Sequence, residues 1–202
     1  MSKVCIMDYG SGNVKSVYNL VKHLGYETVI SNSKYEIQKA THLILPGVGS
    51  FASAMSKIKS NISLNILNVD VLDKKKPILG ICVGMQVMAN KGYENGENIG
   101  LGWIDGTVRK INVSNSPLPH IGWNNIIIKK KSKLTSYLDK VNDFYFVHSY
   151  AYNTERDYII AETDYEEQFP SIIKKDNIYG VQFHPEKSQK AGQQLLKNFL
   201  NI

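Results

Sequence analysis

The first half of the chain alternates short apolar runs with segments of helical periodicity. An apolar run at residues 4–7 ends at the turn DYGSGN, and apolar residues then recur at helical spacing from 14 to 24, where Gly25 closes the pattern. Further apolar runs at 28–30, 42–45 and 78–81 predict short strands. Strands that are joined by helices predict a mostly parallel sheet with helices on both faces, an α/β fold.

The second half, from about Gly106, changes to short β-rich runs. These runs occupy residues 107–113, 123–130, 143–152, 158–163, 171–175 and 178–184. Because they follow one another without long helices, they predict an antiparallel or mixed extension of the sheet. Apolar positions within 189–200 predict a closing amphipathic helix. We find no internal repeat or linker, so we predict a single domain over residues 1–202.

The composition is that of an ordinary globular protein. Of the 202 residues, 43% are hydrophobic and 21% are charged, and no window approaches the roughly 18 continuous apolar residues of a membrane span. The first ten residues lack the features of a signal peptide, and two cysteines make no disulfide framework. We therefore expect a cytoplasmic protein with free thiols and no membrane association.

The charge and the histidines bear on whether the chain binds nucleic acid or a metal. The net charge is +6, with lysines concentrated at 74–76 and 129–133. A basic surface suits nucleic acid, an acidic partner or a phosphorylated metabolite, but no nucleic-acid-binding motif accompanies these lysines, so we interpret them as solvated loops and expect no nucleic acid. The five histidines are scattered and no C-x-x-C or H-E-x-x-H occurs, so we expect no metal and no cofactor.

Three turns carry candidate chemistry, and each follows a predicted strand: DYGSGN, PGVGSF and GICVGMQ. In parallel sheets, functional sites gather at the carboxyl ends of the strands. DYGSGN lacks the third glycine of a dinucleotide-binding loop and the lysine of a P-loop. We therefore assign no nucleotide binding to it.

Cys82 is the candidate nucleophile. The sequence from Gly80 to Gly84 has the G-x-nucleophile-x-G form, in which a strand turns sharply into a helix and presents a side chain at the crest. A helix over residues 84–90 would favour the thiolate form through its N-terminus. The alternative interpretation is a buried, inert cysteine at the end of a strand.

His184 and Glu186 are the candidate base and its orienting carboxylate. Pro185 directs the preceding residue toward extended geometry, so the two side chains can project to one side of the chain. A carboxylate beside an imidazole holds its tautomer and stabilises its cation. A structural histidine is the alternative, and since 102 residues separate it from Cys82, their proximity depends on the fold.

The turn PGVGSF is the candidate oxyanion site. A glycine-rich turn at a strand end can direct backbone N–H groups at an oxyanion, and the amide that follows a nucleophile, here Val83, is the usual second donor. Taken alone, this turn also fits an ordinary loop.

Four motifs in this order, PGVGSF, GICVGMQ, FVHSY and GVQFHPEKS, closely resemble those of the triad (class I) glutamine amidotransferases over nearly the whole chain. DYGSGNVKSV, HIGWN and HPEKS resemble more narrowly the glutaminase subunits of imidazole glycerol phosphate synthases. The resemblance implies a flavodoxin-like α/β fold. It also implies that Cys82 attacks the side-chain amide of L-glutamine, that His184 shuttles protons and that Glu186 orients His184.

The same resemblance implies the remaining site residues. Gly49 and Val83 would supply the oxyanion amides. The glutamine would be bound by residues in three segments, namely Gly47, Gln86, Ser149 and Tyr150. His148 would be a structural residue and not a second base. Val83 stands where the family pattern leads us to expect leucine, which leaves its backbone amide unchanged.

The partner implied by the resemblance is a (β/α)8 barrel cyclase subunit in a heterodimer. Ammonia would pass to it through a protected channel and enter a nucleotide intermediate of histidine biosynthesis. Four residues match positions at the interface or channel mouth: Asn13, Trp123, Tyr145 and Lys187. For each of them, simple packing or surface solvation is an equal alternative.

Three other functions remain open on the sequence. A paralogous glutaminase subunit could supply ammonia to a sugar-amidating synthase for surface glycans, since the acceptor is bound by another chain. A stand-alone cysteine peptidase or γ-glutamyl hydrolase could use a similar fold. A non-enzymatic regulatory module is the third, although no member of the proposed triad is missing.

Overall fold

The computed structural model describes residues 3–202, and within them it contains fourteen strands and six α-helices. The strands are β1 Lys3–Met7, β2 Glu27–Ser31, β3 His42–Gly47, β4 Ile78–Cys82, β5 Lys91–Gly92, β6 Asn98–Ile99, β7 Thr107–Lys110, β8 His120–Asn125, β9 Ile127–Ile128, β10 Asp143–His148, β11 Tyr150–Asn153, β12 Ile159–Tyr165, β13 Glu167–Lys175 and β14 Ile178–Val181. The helices are α1 Val14–His23, α2 Lys34–Lys39, α3 Phe51–Asn61, α4 Leu64–Asn68, α5 Val83–Gln86 and α6 Gln189–Leu200. A π-helical turn lies at Val69–Asp73, and 3-10 turns lie at Lys133–Thr135, Arg156–Tyr158 and Pro185–Lys187.

The main sheet has eight strands in the order β2-β1-β3-β4-β14-β13-β12-β9. The first five are parallel to their neighbours, and the last three continue the sheet in antiparallel pairing. The order of the parallel strands is that of flavodoxin-like folds. The predicted α/β class and the mixed extension of its sheet are therefore confirmed.

The central strands are buried on both sides. Every residue of β3, β4 and β14 is buried. Since successive side chains of a strand point to opposite faces, burial of all of them means that both faces of the sheet are covered. This explains the continuous apolar runs from which these strands were predicted.

The chain also forms two smaller sheets, which the sequence did not predict, and β5 and β6 of one of them precede the β-rich second half. The run 143–152 divides at Ser149, because β10 pairs with β8 in a two-stranded sheet while β11 pairs with β7 in a four-stranded one. The run 123–130 likewise divides between β8 and β9. The extension is therefore distributed over three sheets. The sequence could not predict this, because the alternation of apolar residues continues unchanged where a chain passes from one sheet to another.

The first and last predicted helices are present. In α1, Val17 and Val21 are buried, and Gly25 follows the helix with φ +88°, the left-handed conformation that commonly ends a helix. The closing helix α6 buries four large apolar side chains: Leu195, Leu196, Phe199 and Leu200.

The helix predicted at residues 84–90 is shorter than expected. Helix α5 contains four residues, and the chain then continues in turns. The carbonyl oxygens of residues 87–89 accept hydrogen bonds from the backbone of residues 101–104, which returns alongside them. Because these carbonyls are already paired, the helix does not continue, and a single turn offers only a small helix dipole.

Two kinds of feature are absent from residues 3–202. No helix there is both long and apolar enough to cross a membrane. No group of three or more histidine, cysteine, aspartate or glutamate side chains there could hold a metal ion.

Candidate active site

Cys82 lies at the crest of a sharp turn between β4 and α5. Its φ of +53° is rare for a residue with a side chain and marks local strain. A Cβ atom at Gly84 would lie 1.9 Å from the carbonyl oxygen of Leu45, and one at Gly80 would lie 2.5 Å from the oxygen of Gly84. The turn therefore requires both glycines, as the sequence pattern predicted.

The sheet register determines the neighbours of Cys82. Gly47 of β3 lies opposite it on one side. On the other side Ile81 pairs with Val181 of β14, so Gln182 follows beside Cys82. A Cβ atom at Gly47 would lie 2.3 Å from the backbone nitrogen of Gly84. Gly47 is thus required by close packing beneath the turn.

His184 and Glu186 form a buried pair. Nδ1 of His184 is 2.9 Å from Oε1 of Glu186, and both side chains are almost completely buried. His184 has the extended backbone that was predicted for a residue before proline. Nδ2 of Asn13 lies 3.4 Å from the same carboxylate oxygen. Asn13, which was predicted at the interface or channel mouth, therefore contacts this pair and is itself only partly buried.

The other nitrogen of His184, Nε2, is directed into the site. It is buried and has no hydrogen-bond partner among the described residues, and His184 lines the same cavity as Cys82. Burial opposes a charge on the ring, but interaction with Cys82 and with Glu186 outweighs burial and raises the pKa of His184 to about 10. The thiol and the imidazole are thus close enough to interact electrostatically. Within the described residues, however, Nε2 of His184 accepts no hydrogen bond from Sγ of Cys82.

A cavity of about 270 Å³ surrounds these groups. Its wall is formed by Val48, Gly49, Cys82, Val83, Gln86, Glu94, Pro119, Val147, His148, Ser149, Tyr150 and His184. The volume suits a small metabolite. The fold therefore brings together residues from four predicted segments, although Gly47, which was predicted to bind substrate, does not line the cavity.

The turn DYGSGN supports the glycine-rich loop at the end of β3. The hydroxyl of Tyr9 donates to the carbonyl oxygen of Pro46 at 2.8 Å, and that of Ser11 donates to the oxygen of Val48 at 2.9 Å. The N–H and C=O groups of a trans peptide point in opposite directions. With the Val48 oxygen held by Ser11, the N–H of Gly49 points away from Ser11. No sequence pattern indicated this supporting contact.

A second backbone donor is available beside Cys82. Val83 is the first residue of α5, so its N–H has no partner within the helix. Together with Gly49 it lines the cavity. These two amides can serve an oxyanion.

His148 lines the cavity but is held in a chain of hydrogen bonds. Its Nδ1 is 3.0 Å from the carbonyl oxygen of Tyr150, which can only accept, so His148 is protonated at Nδ1. Its Nε2 then accepts from Nδ1 of His120 at 3.2 Å. Burial lowers the pKa of His148 to about 3 and that of His120 to about 4. Both rings are neutral, which is the behaviour of structural residues.

Three of the four predicted interface residues form one exposed cluster. The rings of Trp123 and Tyr145 lie 6.1 Å apart, and Nζ of Lys187 lies 5.3 Å above the ring of Tyr145. Trp123 is 46% exposed, which is high for a tryptophan. We call Trp123, Tyr145 and Lys187 the aromatic surface cluster.

Two residues of the site were missed by the sequence analysis. Glu94 lines the cavity, and its Oε2 accepts from the backbone N–H of Phe51 at the start of α3 at 2.8 Å. Gln182 is fully buried beside Cys82. Glu94 belongs to a polar loop without a motif. Gln182 lies within GVQFHPEKS, where the histidine and glutamate carry the stronger signal.

Comparison with known proteins agrees with this geometry. The sequence profile of the family described as glutamine amidotransferase class-I matches residues 5–202. A protein of Methanococcus maripaludis named imidazole glycerol phosphate synthase subunit HisH 2 is 46% identical over 199 residues, covering 98% of each chain. One of Lactococcus lactis, named imidazole glycerol phosphate synthase subunit HisH, is 45% identical over 205 residues, covering 99% of this chain and 98% of its own.

Solved structures show the same fold. A crystal structure described as that of a glutamine amidotransferase superposes with a TM-score of 0.73 at 15% identity, covering 98% of this chain and 97% of its own. The structure of PurLQS from Thermotoga maritima superposes with a TM-score of 0.73 at 17% identity, covering 100% of this chain and 99% of its own. At these identities the similarity concerns the fold alone.

Proposed function

The chain belongs to the class-I glutamine amidotransferase family, and from this premise we propose that it is the glutamine-hydrolysing subunit of an imidazole glycerol phosphate synthase in histidine biosynthesis. One observation carries the proposal. Cys82 on a strained turn and the buried His184–Glu186 pair line one small cavity, in a chain that is 46% identical over nearly its full length to a subunit of that name. We propose that residues 1–202 act as a single glutaminase domain.

The first half of the reaction forms a thioester. Nε2 of His184 accepts the proton of the Cys82 thiol, and Sγ attacks the carboxamide carbon of glutamine. The backbone amides of Gly49 and Val83 donate to the oxyanion that develops on the former carbonyl oxygen. Glu186 stabilises the imidazolium at Nδ1, 2.9 Å away. When the tetrahedral intermediate collapses, the C–N bond breaks and His184 returns the proton to nitrogen, so that ammonia leaves.

The second half hydrolyses the thioester. His184 now takes a proton from water, and the resulting hydroxide adds to the thioester carbon. The C–S bond breaks, the sulfur recovers a proton from His184, and glutamate is released. The sum is glutamine plus water giving glutamate plus ammonia.

Recognition of glutamine uses the rest of the cavity wall. The carboxylate of Glu94 is suited to the α-ammonium group. Nε2 of Gln86 already donates to the oxygen of Tyr150 at 2.8 Å and to Oε1 of Gln182 at 3.1 Å. The oxygen of the Gln86 amide therefore remains for substrate, together with Ser149 and Tyr150.

The partner is the cyclase subunit of the synthase, and we propose that it is a (β/α)8 barrel that receives ammonia directly in a heterodimer. Free ammonia is mostly protonated near neutral pH and is then no nucleophile, so transfer without release into water keeps it in its reactive form. The aromatic surface cluster supports a docking position, because Tyr145 belongs to it and its carbonyl oxygen accepts the backbone N–H of His184. Asn13, whose side-chain amide contacts Glu186, would act on the triad.

The test is glutamate release by the purified chain. It is measured alone and with the cyclase subunit of the same organism, with and without the nucleotide substrate of the cyclase. Cys82→Ala abolishes release, and Cys5→Ser, a change at the other buried cysteine, is the matched control and retains it. Strong stimulation by the cyclase supports the proposal.

Other outcomes would change the assignment. Stimulation only by the barrel subunit of a sugar-amidating synthase would support the glutaminase chemistry but reject histidine biosynthesis as the pathway that receives the ammonia. The names of the relatives do not favour this alternative. Hydrolysis of γ-glutamyl conjugates or peptides without any partner would indicate a stand-alone hydrolase. The absence of any glutamate release would indicate a regulatory module.

A further inference from the structure

We propose that Gln182 is a further catalytic residue, whose side-chain amide donates a hydrogen bond to Sγ of Cys82 and stabilises negative charge on that sulfur. The inference rests on the proposed function of Cys82 as nucleophile. Nε2 of Gln182 lies 3.8 Å from Sγ, within reach of the large sulfur atom, and the residue is fully buried.

The position of Gln182 follows from the sheet. Strand β14 pairs in parallel with β4 so that Gly180 and Val181 lie beside Gly80 and Ile81. Side chains at the same level on adjacent strands project to the same face. The residue after Val181 is therefore directed to the face from which Cys82 presents its sulfur.

The orientation of the Gln182 amide is fixed by its neighbours. The carbonyl oxygen of Tyr150 can only accept, so the group of Gln86 that lies 2.8 Å from it is its NH₂. The same NH₂ lies 3.1 Å from the Gln182 amide, which must present its oxygen there. The NH₂ of Gln182 is consequently turned toward Sγ. A backbone carbonyl thus determines, through two glutamines, that a donor faces the sulfur.

The sulfur lies near both a donor, Gln182, and an acceptor, the backbone of Val147. The thiol can donate to the carbonyl oxygen of Val147, 4.0 Å from Sγ. Once the proton has moved to His184, that oxygen no longer binds the sulfur, whereas a hydrogen bond from Gln182 becomes charge-assisted and stronger. Gln182 therefore favours the ionised sulfur both before attack and when the C–S bond of the thioester breaks.

The test measures ionisation of Cys82 without glutamine. The pH dependence of its alkylation by iodoacetamide is followed in the full-length chain, because the thiolate is the form that reacts. The variant Gln182→Met keeps the volume and removes the donor. We expect the midpoint of alkylation to move to higher pH by about one unit, since a hydrogen bond to a charged group is worth at least that much. Cys82→Ala measures the background from buried Cys5, whose pKa burial raises to about 12.

Two further variants make the result specific. Gln86→Met leaves Gln182 in place but removes the group that orients it, and we expect a smaller shift in the same direction. Ser171→Ala is the matched control. Its hydroxyl is buried and has no partner within residues 3–202, and its backbone oxygen holds the N–H of Gln182, so the midpoint should not move.

The proposal is overturned by an unchanged midpoint in a folded Gln182→Met variant, with folding checked by thermal unfolding. If that variant does not fold, an unchanged midpoint in Gln86→Met overturns it equally. Glutamate release by the parent chain together with an unchanged midpoint rejects the role of Gln182 alone. A parent chain whose Cys82 is not alkylated at any pH rejects the nucleophile of the proposed function, and the role of Gln182 with it.

Discussion

The backbone N–H of His184 donates a 2.9 Å hydrogen bond to the carbonyl oxygen of Tyr145. Ser188 closes this contact into a ring, because its hydroxyl accepts from the N–H of Tyr145 at 3.0 Å and donates to the carbonyl oxygen of His184 at 2.6 Å. The proposed base is therefore attached through its backbone to the strand that carries the aromatic surface cluster. A displacement of that strand by a partner would reach His184 directly.

Removing the hydroxyl from this ring should impair catalysis more than binding. In Ser188→Ala, the N–H of Tyr145 loses its partner and the carbonyl oxygen of His184 keeps only the N–H of Lys187, which costs about 1–3 kcal/mol of unfolding free energy. Because His184 is then held less firmly, we expect kcat to fall about tenfold with little change in KM. Steady-state glutaminase kinetics and urea unfolding measure both effects. The control Ser60→Ala removes an exposed hydroxyl that bonds within α3, and an equal loss there would contradict the role of the ring.

Replacing the carboxylate of the buried pair should change both rate and pH dependence. Glu186→Gln keeps the shape but removes the charge that helps to raise the pKa of His184. Because that pKa is raised in the folded chain, its contribution to stability is complete below the ordinary histidine pKa of about 6.5 and is lost as the pH rises to about 10.

We therefore expect the parent to lose stability between pH 7 and pH 10, and the variant to lose less over the same range. We also expect its kcat to fall by about 10- to 100-fold. Urea unfolding at both pH values and glutamate release measure these changes. Glu97→Gln, at an exposed ion pair with Lys91, is the control and should behave as the parent. A variant with the parent's pH profile would reject the charge of Glu186 as the cause.

The buried histidines should make the fold sensitive to acid. The pKa values of His120 and His148 are lowered to about 4 and about 3 by burial. The unfolded chain takes up protons below pH about 6.5 that the folded chain does not, so the free energy of unfolding should fall as the pH drops from there toward 4. His120→Phe, which keeps a ring between Phe146 and Tyr165, should show a shallower slope in chemical unfolding from pH 7 to 5. An unchanged slope would mean that other groups cause the acid sensitivity.

The turn that presents Cys82 should not tolerate a methyl group. In Gly84→Ala the new Cβ would lie 1.9 Å from the backbone oxygen of Leu45, and we expect a loss of more than about 4 kcal/mol or no folded protein. Gly96→Ala separates this clash from backbone strain, because Gly96 has φ +102° but open space around it. That control should cost only about 1–2 kcal/mol. Equal losses in urea unfolding would contradict the packing argument.

The aromatic surface cluster should dominate binding of the cyclase. Exposed tryptophans are typical centres of binding energy at interfaces, and we expect Trp123→Ala to weaken the complex about 30-fold or more. Lys187→Ala should weaken it less. Titration calorimetry with the cyclase subunit measures both. Tyr137→Ala is the matched control, since Tyr137 is 68% exposed outside the cluster, and weakening by this change to the same extent would reject the docking position.

The parts of the fold that sequence predicts well are those in which local pattern and tertiary structure coincide. The strands 42–45 and 78–81 lie at the centre of the sheet, so burial on both faces makes them continuous apolar runs. The sharp turn at Gly80 and Gly84 could be predicted because a turn with no room for side chains requires glycine. The pairing partners of residues 143–152 could not be predicted, because segments distant in the chain determine which sheet a strand joins.

In the site, too, residues in local motifs could be predicted and residues defined by tertiary contacts could not. Cys82, His184 and Glu186 carry reactive groups in recognisable motifs, whereas Glu94 and Gln182 acquire importance only from their neighbours. The length of the helix after Cys82 was overestimated, since the competing partners of its carbonyls come from residues 101–104. Gly47 was predicted to bind substrate, and the structure adds a packing role opposite Cys82 that the sequence did not indicate. Such roles depend on contacts that one-dimensional spacing does not contain.

The position of β14 in the sheet has a consequence for how the protein is made. This strand, Ile178–Val181, lies between β4 and β13, so a segment that is synthesised long after β4 occupies the middle of the sheet. Until it emerges from the ribosome, β4 presents an unpaired edge beside Cys82, which is a template for misassociation. Its pairing with β4 also closes a loop of about 100 residues, a slow step in folding. Cys82 and His184 therefore come together only after β14 has paired with β4, so glutaminase activity reports that this central pairing has formed.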